Sequence, residues 1–128
     1  MPNVLHWTLV FTPSSLEHLA ERDIAAEEVA DAVFGSYGLT FVRKFGRGQR
    51  ERWLVVAPLE GGELLSCVLR AATSRDVAAE GAFVIPVTGV PEEPSGFKAS
   101  MRLCVSARLS AADEARRYRA WRRQKGGS

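Results

Sequence analysis

Lysine is scarce in this sequence: only three of the 17 basic residues are Lys, and the rest are Arg. Arginine offers a planar fork that bonds phosphate in two places, where lysine acts as a point charge. Cysteine is scarcer still. Cys67 and Cys104 are the two, each inside an apolar run, so they read as buried thiols and supply neither a disulfide framework nor a metal spacing. Histidine is limited to His6 and His18, so hydrolase classes built on a His pair have no support, and no nucleophile elbow is present. There is no long apolar run. "VLHWTLVF" (Val4–Phe11) is too short and too mixed for a secretory signal, and nothing reaches membrane-spanning length. A cytoplasmic protein without membrane contact, metal or cofactor is the expectation.

What is there fits one domain. The chain has 128 residues, 46% of them hydrophobic and 25% charged, enough to bury a core without staples. No internal repeat is visible. The net charge of +2 hides a segregation. Residues 1–42 carry one Arg against six acids, and residues 43–52 five basic residues against Glu51. Residues 53–97 carry two Arg against six acids, and residues 98–128 nine basic residues against two acids. Such a chain offers one face to a polyanion and another to a basic partner, or simply a solvated surface with a basic tail.

Periodicity predicts the order β, α, α, three strands, an insertion, a strand and a helix. Val4–Phe11 reads as a strand, followed by Thr12-Pro13 as a helix start. That helix runs to about Arg22. A second, with Asp23 as its cap, sets Ala26, Val29, Ala30 and Val33 on one side and stops at Gly35. Tyr37–Phe45, Glu51–Pro58 and Glu63–Ala71 are strands, the last two joined by a two-residue Gly61-Gly62 turn. "GRGQ" (Gly46–Gln49) is a hairpin loop, with no strand-to-helix context for a phosphate cradle. Residues 73–100 read as an insertion or long loop, in which "AFVIPV" forms a short edge strand because Pro86 cannot donate to a ladder. Met101–Ala107 is the last strand. Ser110 opens the last helix, with Asp113 closing a capping box.

Alternation along the strands sends Ser66, Val68 and Arg70 to one side, Arg50 and Arg52 to one side, and Arg102, Ser106 and Arg108 to one side. If these strands are neighbours, Arg50, Arg52, Arg70 and Arg108 converge on one face of the sheet, and a slip of one residue scatters them. The alternative for Arg70 and Arg108 is an ion pair with Glu51 or Glu63.

Three stretches carry a resemblance. These are "HLAERDIAAEEVADAVFG" (His18–Gly35), "RERWLVVAPLEGGELLSCVLRA" (Arg50–Ala71) and "RLCVSARLSAADEARRYRAW" (Arg102–Trp121). Together they resemble RelE-superfamily toxins of type II toxin–antitoxin systems, of the BrnT kind. The most distinctive is the last: a strand ending in Ser-Ala-Arg, then a helix with an acid, Arg and Tyr. The resemblance implies an α+β fold, RelE-like, with a twisted, mostly antiparallel sheet, two N-terminal helices and a C-terminal helix. It implies a metal-independent endoribonuclease that cleaves mRNA, free or ribosome-bound, inhibits translation and is neutralised by a cognate antitoxin, the free protein being either a monomer or a homodimer. The rival is a non-catalytic nucleic-acid-binding or interaction module on the same fold.

Cleavage of this kind has the 2′-hydroxyl attack the adjacent phosphorus. It needs donors for the developing negative charge and a proton for the leaving oxygen. Arg52, Arg70 and Arg108 suit the first need. His18 or Glu51 is the candidate proton acceptor, and Tyr118 or His18 the candidate donor. Arg22, Arg50, Arg116, Arg119 and Arg123 are the candidate RNA-binding residues. Each has a plainer reading as well. His18 can pair with a nearby acid, Glu51 can orient Arg52 or Arg22, Tyr118 can belong to the core, and His6 is structural.

Overall fold

The computed structural model describes residues 4–125. The chain is α+β: a six-stranded, mostly antiparallel open sheet with four helices. In chain order the elements are β1 (Thr8–Phe11), α1 (Pro13–Glu21), α2 (Ala26–Val33), β2 (Phe41–Phe45), β3 (Arg52–Pro58), β4 (Leu64–Ala71), α3 (Ser74–Ala78), β5 (Phe83–Ile85), β6 (Met101–Leu109) and α4 (Ala112–Lys125). The strands lie in the order β2-β3-β4-β6-β1-β5, and among the described residues β1 and β6 are the one parallel pair.

Local chemistry explains most of the boundaries. Thr12 is extended and its hydroxyl accepts from the Ser15 N–H at 3.3 Å, with Pro13 in the first turn, so α1 begins where its orphan donor is met. Asp23 does not cap α2. It adopts a left-handed φ of 56° in the connecting turn, and the Glu28 carboxylate reaches back to the Ala25 N–H at 2.9 Å. Ala26, Val29, Ala30 and Val33 are buried, as their spacing predicts. Val4–His6 is a 3-10 turn rather than the start of β1, and β2 begins only at Phe41. The β3–β4 connection is the five residues 59–63 and not a two-residue turn, with the Leu59 N–H donating to Glu63 O at 2.7 Å. The Gly62 N–H donates to Leu59 O at 3.0 Å, and Gly62 takes φ 87°, a conformation that favours glycine.

Residues 73–100 are more ordered than a plain insertion. Thr73 and Asp76 form a reciprocal cap that starts α3, with the Asp76 carboxylate on the Thr73 N–H at 2.8 Å and the Thr73 hydroxyl accepting from the Asp76 N–H at 3.2 Å. β5 adds to β1 as the short edge strand that Pro86 predicts, and Val84 bridges to Glu92. The start of α4 is shifted by one residue from the expected Ser110–Asp113 box: Glu114, not Asp113, returns its carboxylate, to the Ala111 N–H at 2.9 Å.

Two cores sit on opposite faces of the sheet. Helices α1 and α2 cover Leu9, Phe11, Val55, Cys67, Leu69 and Cys104. Burial raises the Cys67 thiol well above its usual value and pushes Cys104 up to about 12, so both stay protonated. On the other face a smaller cluster joins Val10, Val77, Leu103 and Met101. A β-bulge links the two arrangements. Val68 pairs with Ser106 and Leu69 with Cys104, leaving Val105 without a partner. Side chains of β6 therefore change faces at Val105. Arg102 and Arg108, expected on one face, are on opposite ones. Arg102 instead lies between Trp7 and Trp53, its guanidinium carbon 5.3 and 4.5 Å from the two ring centres. Among the described residues no helix is long and apolar enough to cross a membrane.

Candidate functional site

The α3/α4 face of the sheet carries a groove floored by β3, β4 and β6. Arg52 of β3, Arg70 of β4 and Arg108 of β6 all point to this side, because Trp53, Leu69 and Ala107 beside them are buried in the larger core. These three therefore share the expected face, with Arg108 paired to Ser66, four residues along β4 from Arg70. The expectation fails for Arg50, which belongs to a 3-10 turn (Gly48–Arg50) ahead of β3, where strand alternation does not reach. Gly46 makes that turn tight: it has φ 79°, and a Cβ there would meet the Arg50 carbonyl.

His18 stands at the rim. β1 pairs with β6 only as far as Leu103, so the second half of β6 has an uncovered edge, and α1 packs along it. This brings His18, Glu21 and Arg22 beside Ser106 and Arg108 in one depression. The adjoining depression has His18 facing Arg70 and Asp76. A third continues to Arg52 and Arg75. His18 and Arg22 are exposed. The three depressions adjoin through shared residues, His18 lining the first two and Arg70 and Asp76 the second and third, and together they form an arginine-lined groove with one imidazole at its rim.

Two of its arginines are held in place. Arg70 grips both carboxylate oxygens of Asp76, at 2.8 and 3.0 Å, and Arg108 both of Glu114, at 2.8 and 2.9 Å. Neither partner is the Glu51 or Glu63 considered from the sequence. Each carboxylate also caps its own helix: Asp76 takes the Thr73 N–H and hydroxyl, and Glu114 takes the Ala111 N–H and the Ser66 hydroxyl. The Arg70 bonds, chiefly, hold Asp76 below the usual carboxylate range despite partial burial. Burial pushes Glu114 up, but the bonds from Arg108, Ala111 and Ser66 together outweigh it, and its net shift is also downward. Ser66 and Ser110 share a hydrogen bond of 2.7 Å beside this pair. Arg52 donates through Nη1 to the carbonyls of Gln49 and Glu51, at 3.1 and 2.9 Å, and so clips the preceding turn to β3.

The other candidates are engaged elsewhere, although Glu51 also lines the third depression. The Glu51 carboxylate is ion-paired with Lys44 at 3.1 Å, and its charge acts on Arg102. Tyr118 is 6% exposed and its hydroxyl donates to Leu39 O at 2.6 Å, tying α4 to the β2 side. Burial raises its phenol. It is a packing residue, as helical spacing with Ala115 allows. Arg116, Arg119 and Arg123 are exposed and, at spacings of three and four, form one stripe along α4. Among the described residues no group of three His, Cys, Asp or Glu side chains is placed to hold a metal ion.

Asp76 and Glu114 escaped the sequence reading. Their signal is a repeated spacing: an arginine next to the end of a strand, a helix start three residues on, and an acid three residues further, in Arg70-Thr73-Asp76 and Arg108-Ala111-Glu114. A scan against protein-family models found no match to this chain, and searches of curated proteins and of solved structures found none either.

Proposed function

We propose that this chain is a type II toxin of the RelE superfamily, BrnT-like in its sheet and C-terminal helix, and that it cuts RNA without a metal. The observation that carries the reading is the groove: three neighbouring strands each contribute one arginine to a single face, and an edge helix supplies His18 at the rim. In this reading Arg52, Arg70 and Arg108 bond phosphates spaced along one strand of RNA, Arg108 lying four residues along the sheet from Arg70, and the guanidinium at the scissile phosphate takes up the charge that develops on it. His18 accepts the 2′-hydroxyl proton as that oxygen attacks phosphorus, and the leaving 5′-oxygen takes a proton from water. Glu51 and Tyr118, committed to Lys44 and Leu39, have no part. Arg22 and the α4 stripe of Arg116, Arg119 and Arg123 attract the strand from a distance, and Arg50 does so from its turn.

The partner in this reading is a cognate antitoxin whose acidic and apolar residues cover the arginines and block RNA. One observation favours the second reading, a non-catalytic RNA-binding module: Arg70 and Arg108 already have carboxylate partners, which offset their charge at the floor. Induced expression separates the two. A ribonuclease toxin arrests growth, and the purified protein cuts RNA in the presence of a chelator. A protein that binds RNA, cuts none and leaves growth unchanged is the binding module.

A further inference from the structure

A second concavity lies on the same sheet face, beyond Glu114, with a volume of about 140 Å³. Drug-sized ligands usually occupy about 300 Å³ or more, so this one suits a single ring system. Its floor is apolar: Phe41 and Leu54 point outward from β2 and β3. Arg43 rises beside them from β2, and Asp113 and Arg117 descend from α4. Glu114 is the wall shared with the groove, since the same carboxylate grips Arg108.

The charges in this cavity are not spent on each other. Glu114 is taken up by Arg108, Ser66 and Ala111, but Asp113, Arg43 and Arg117 have no ion pair among the described residues. A flat apolar floor, one unpaired carboxylate and two unpaired guanidinium groups match the three parts of a nucleobase. The ring face lies on the aromatic and aliphatic floor, the carboxylate accepts from ring N–H groups, and the arginines donate to ring acceptors.

We propose that this cavity binds one base of the RNA held in the adjacent groove, and that it selects guanine. The inference rests on the RNA reading of that groove. Guanine alone presents two adjacent N–H donors, at N1 and N2, which a carboxylate takes together, while its O6 and N7 accept from arginine. Adenine and cytosine set an acceptor beside their single amine, and uracil flanks its one N–H with two carbonyls, so each leaves a lone pair facing Asp113.

The test is titration of the full chain, isotopically labelled, with 5′-GMP, IMP, AMP, CMP and UMP, following backbone amides by NMR. GMP is expected to bind tightest and to shift Phe41, Leu54 and Arg117. IMP, which lacks only the 2-amino group, is expected to bind about tenfold more weakly. Asp113→Asn should weaken GMP by about the same factor and remove the GMP–IMP difference, while Glu17→Gln, exposed on α1 at the other face of the sheet, should leave that difference intact. Equal affinities for all five nucleotides, or shifts confined to the α4 stripe, overturn the proposal. Failure of the underlying reading looks different. A guanine preference in a protein that neither arrests growth nor cuts RNA keeps the cavity's role and removes the ribonuclease. Cleavage without base preference removes the cavity's role alone.

Discussion

Arg108 and Glu114 are six residues apart, yet they meet through two parallel hydrogen bonds of 2.8 and 2.9 Å across the junction of β6 and α4. The pair repeats at the junction of β4 and α3, where Arg70 and Asp76, also six apart, meet at 2.8 and 3.0 Å. Each carboxylate does two jobs, closing the first turn of a helix and fixing the arginine one residue before the end of the preceding strand. The two helices are thereby set on either side of the groove, and the arginines between them keep a defined geometry.

Removing the carboxylate charge should loosen both the helix start and the floor. Glu114→Ala is expected to lower stability by about 1–3 kcal/mol, from a lost cap and lost charge-assisted bonds. The value should fall in the lower part of that range, because the Arg108 side chain is 43% exposed and water screens the pair. Urea unfolding measures it. A change below a few tenths of a kcal/mol means the pair contributes nothing to the fold.

Acid should weaken the fold through the same two groups. Asp76 and Glu114 are both held below their unfolded values, so at low pH the unfolded chain binds more protons and stability rises with pH. Their contribution is complete above about pH 5 and is lost as pH falls below about 4, through the lowered folded values. The double variant Asp76→Asn, Glu114→Gln should therefore be less stable than the parent at pH 7 and flatter in stability between pH 5 and 3. Thermal melts across that range test the slope, and parallel curves for the two proteins would contradict it.

Arg108→Ala is expected to fold, by circular dichroism, and to lose RNA cleavage by about 10²–10³ through loss of one preorganised donor. Arg108→Lys should recover the fold's stability in part but little of the rate, since an ammonium makes no two-pronged contact. Full cleavage by a folded Arg108→Ala variant takes this residue out of the site.

Tyr118→Phe separates packing from chemistry. It deletes the 2.6 Å bond to Leu39 O and should cost about 1 kcal/mol of stability, with cleavage unchanged. A loss of cleavage that exceeds the loss of folded protein would return the phenol to the mechanism.

RNA binding should weaken steeply with salt, log affinity falling with log salt by a slope of about −0.7 per phosphate contacted on a single strand. Fluorescence anisotropy with a labelled oligonucleotide at several salt concentrations gives that slope. Charge reversal at Arg116 and Arg119 should reduce it, and a flat dependence argues against any polyanion partner.

The sequence by itself determined the local elements and their chemistry. Helical spacing marked the buried side of α2, Thr12-Pro13 started α1, and Pro86 confined β5 to an edge, because each depends on residues within a turn or two. Period-two alternation also assigned Arg52, Arg70 and Arg108 to the outward side of their strands. What only the tertiary structure decided is which neighbours those side chains meet. The unpaired Val105 reverses the faces of β6, sending Arg102 between Trp7 and Trp53 while Arg108 stays over the groove, and nothing in the alternation Met101–Arg108 reveals a bulge. The uncovered edge of β6, where β1 stops short, sets His18 beside Arg70 and Arg108 from more than fifty residues away along the chain. Such contacts depend on strand order and register, which are properties of the whole sheet and are set by the sum of its packing.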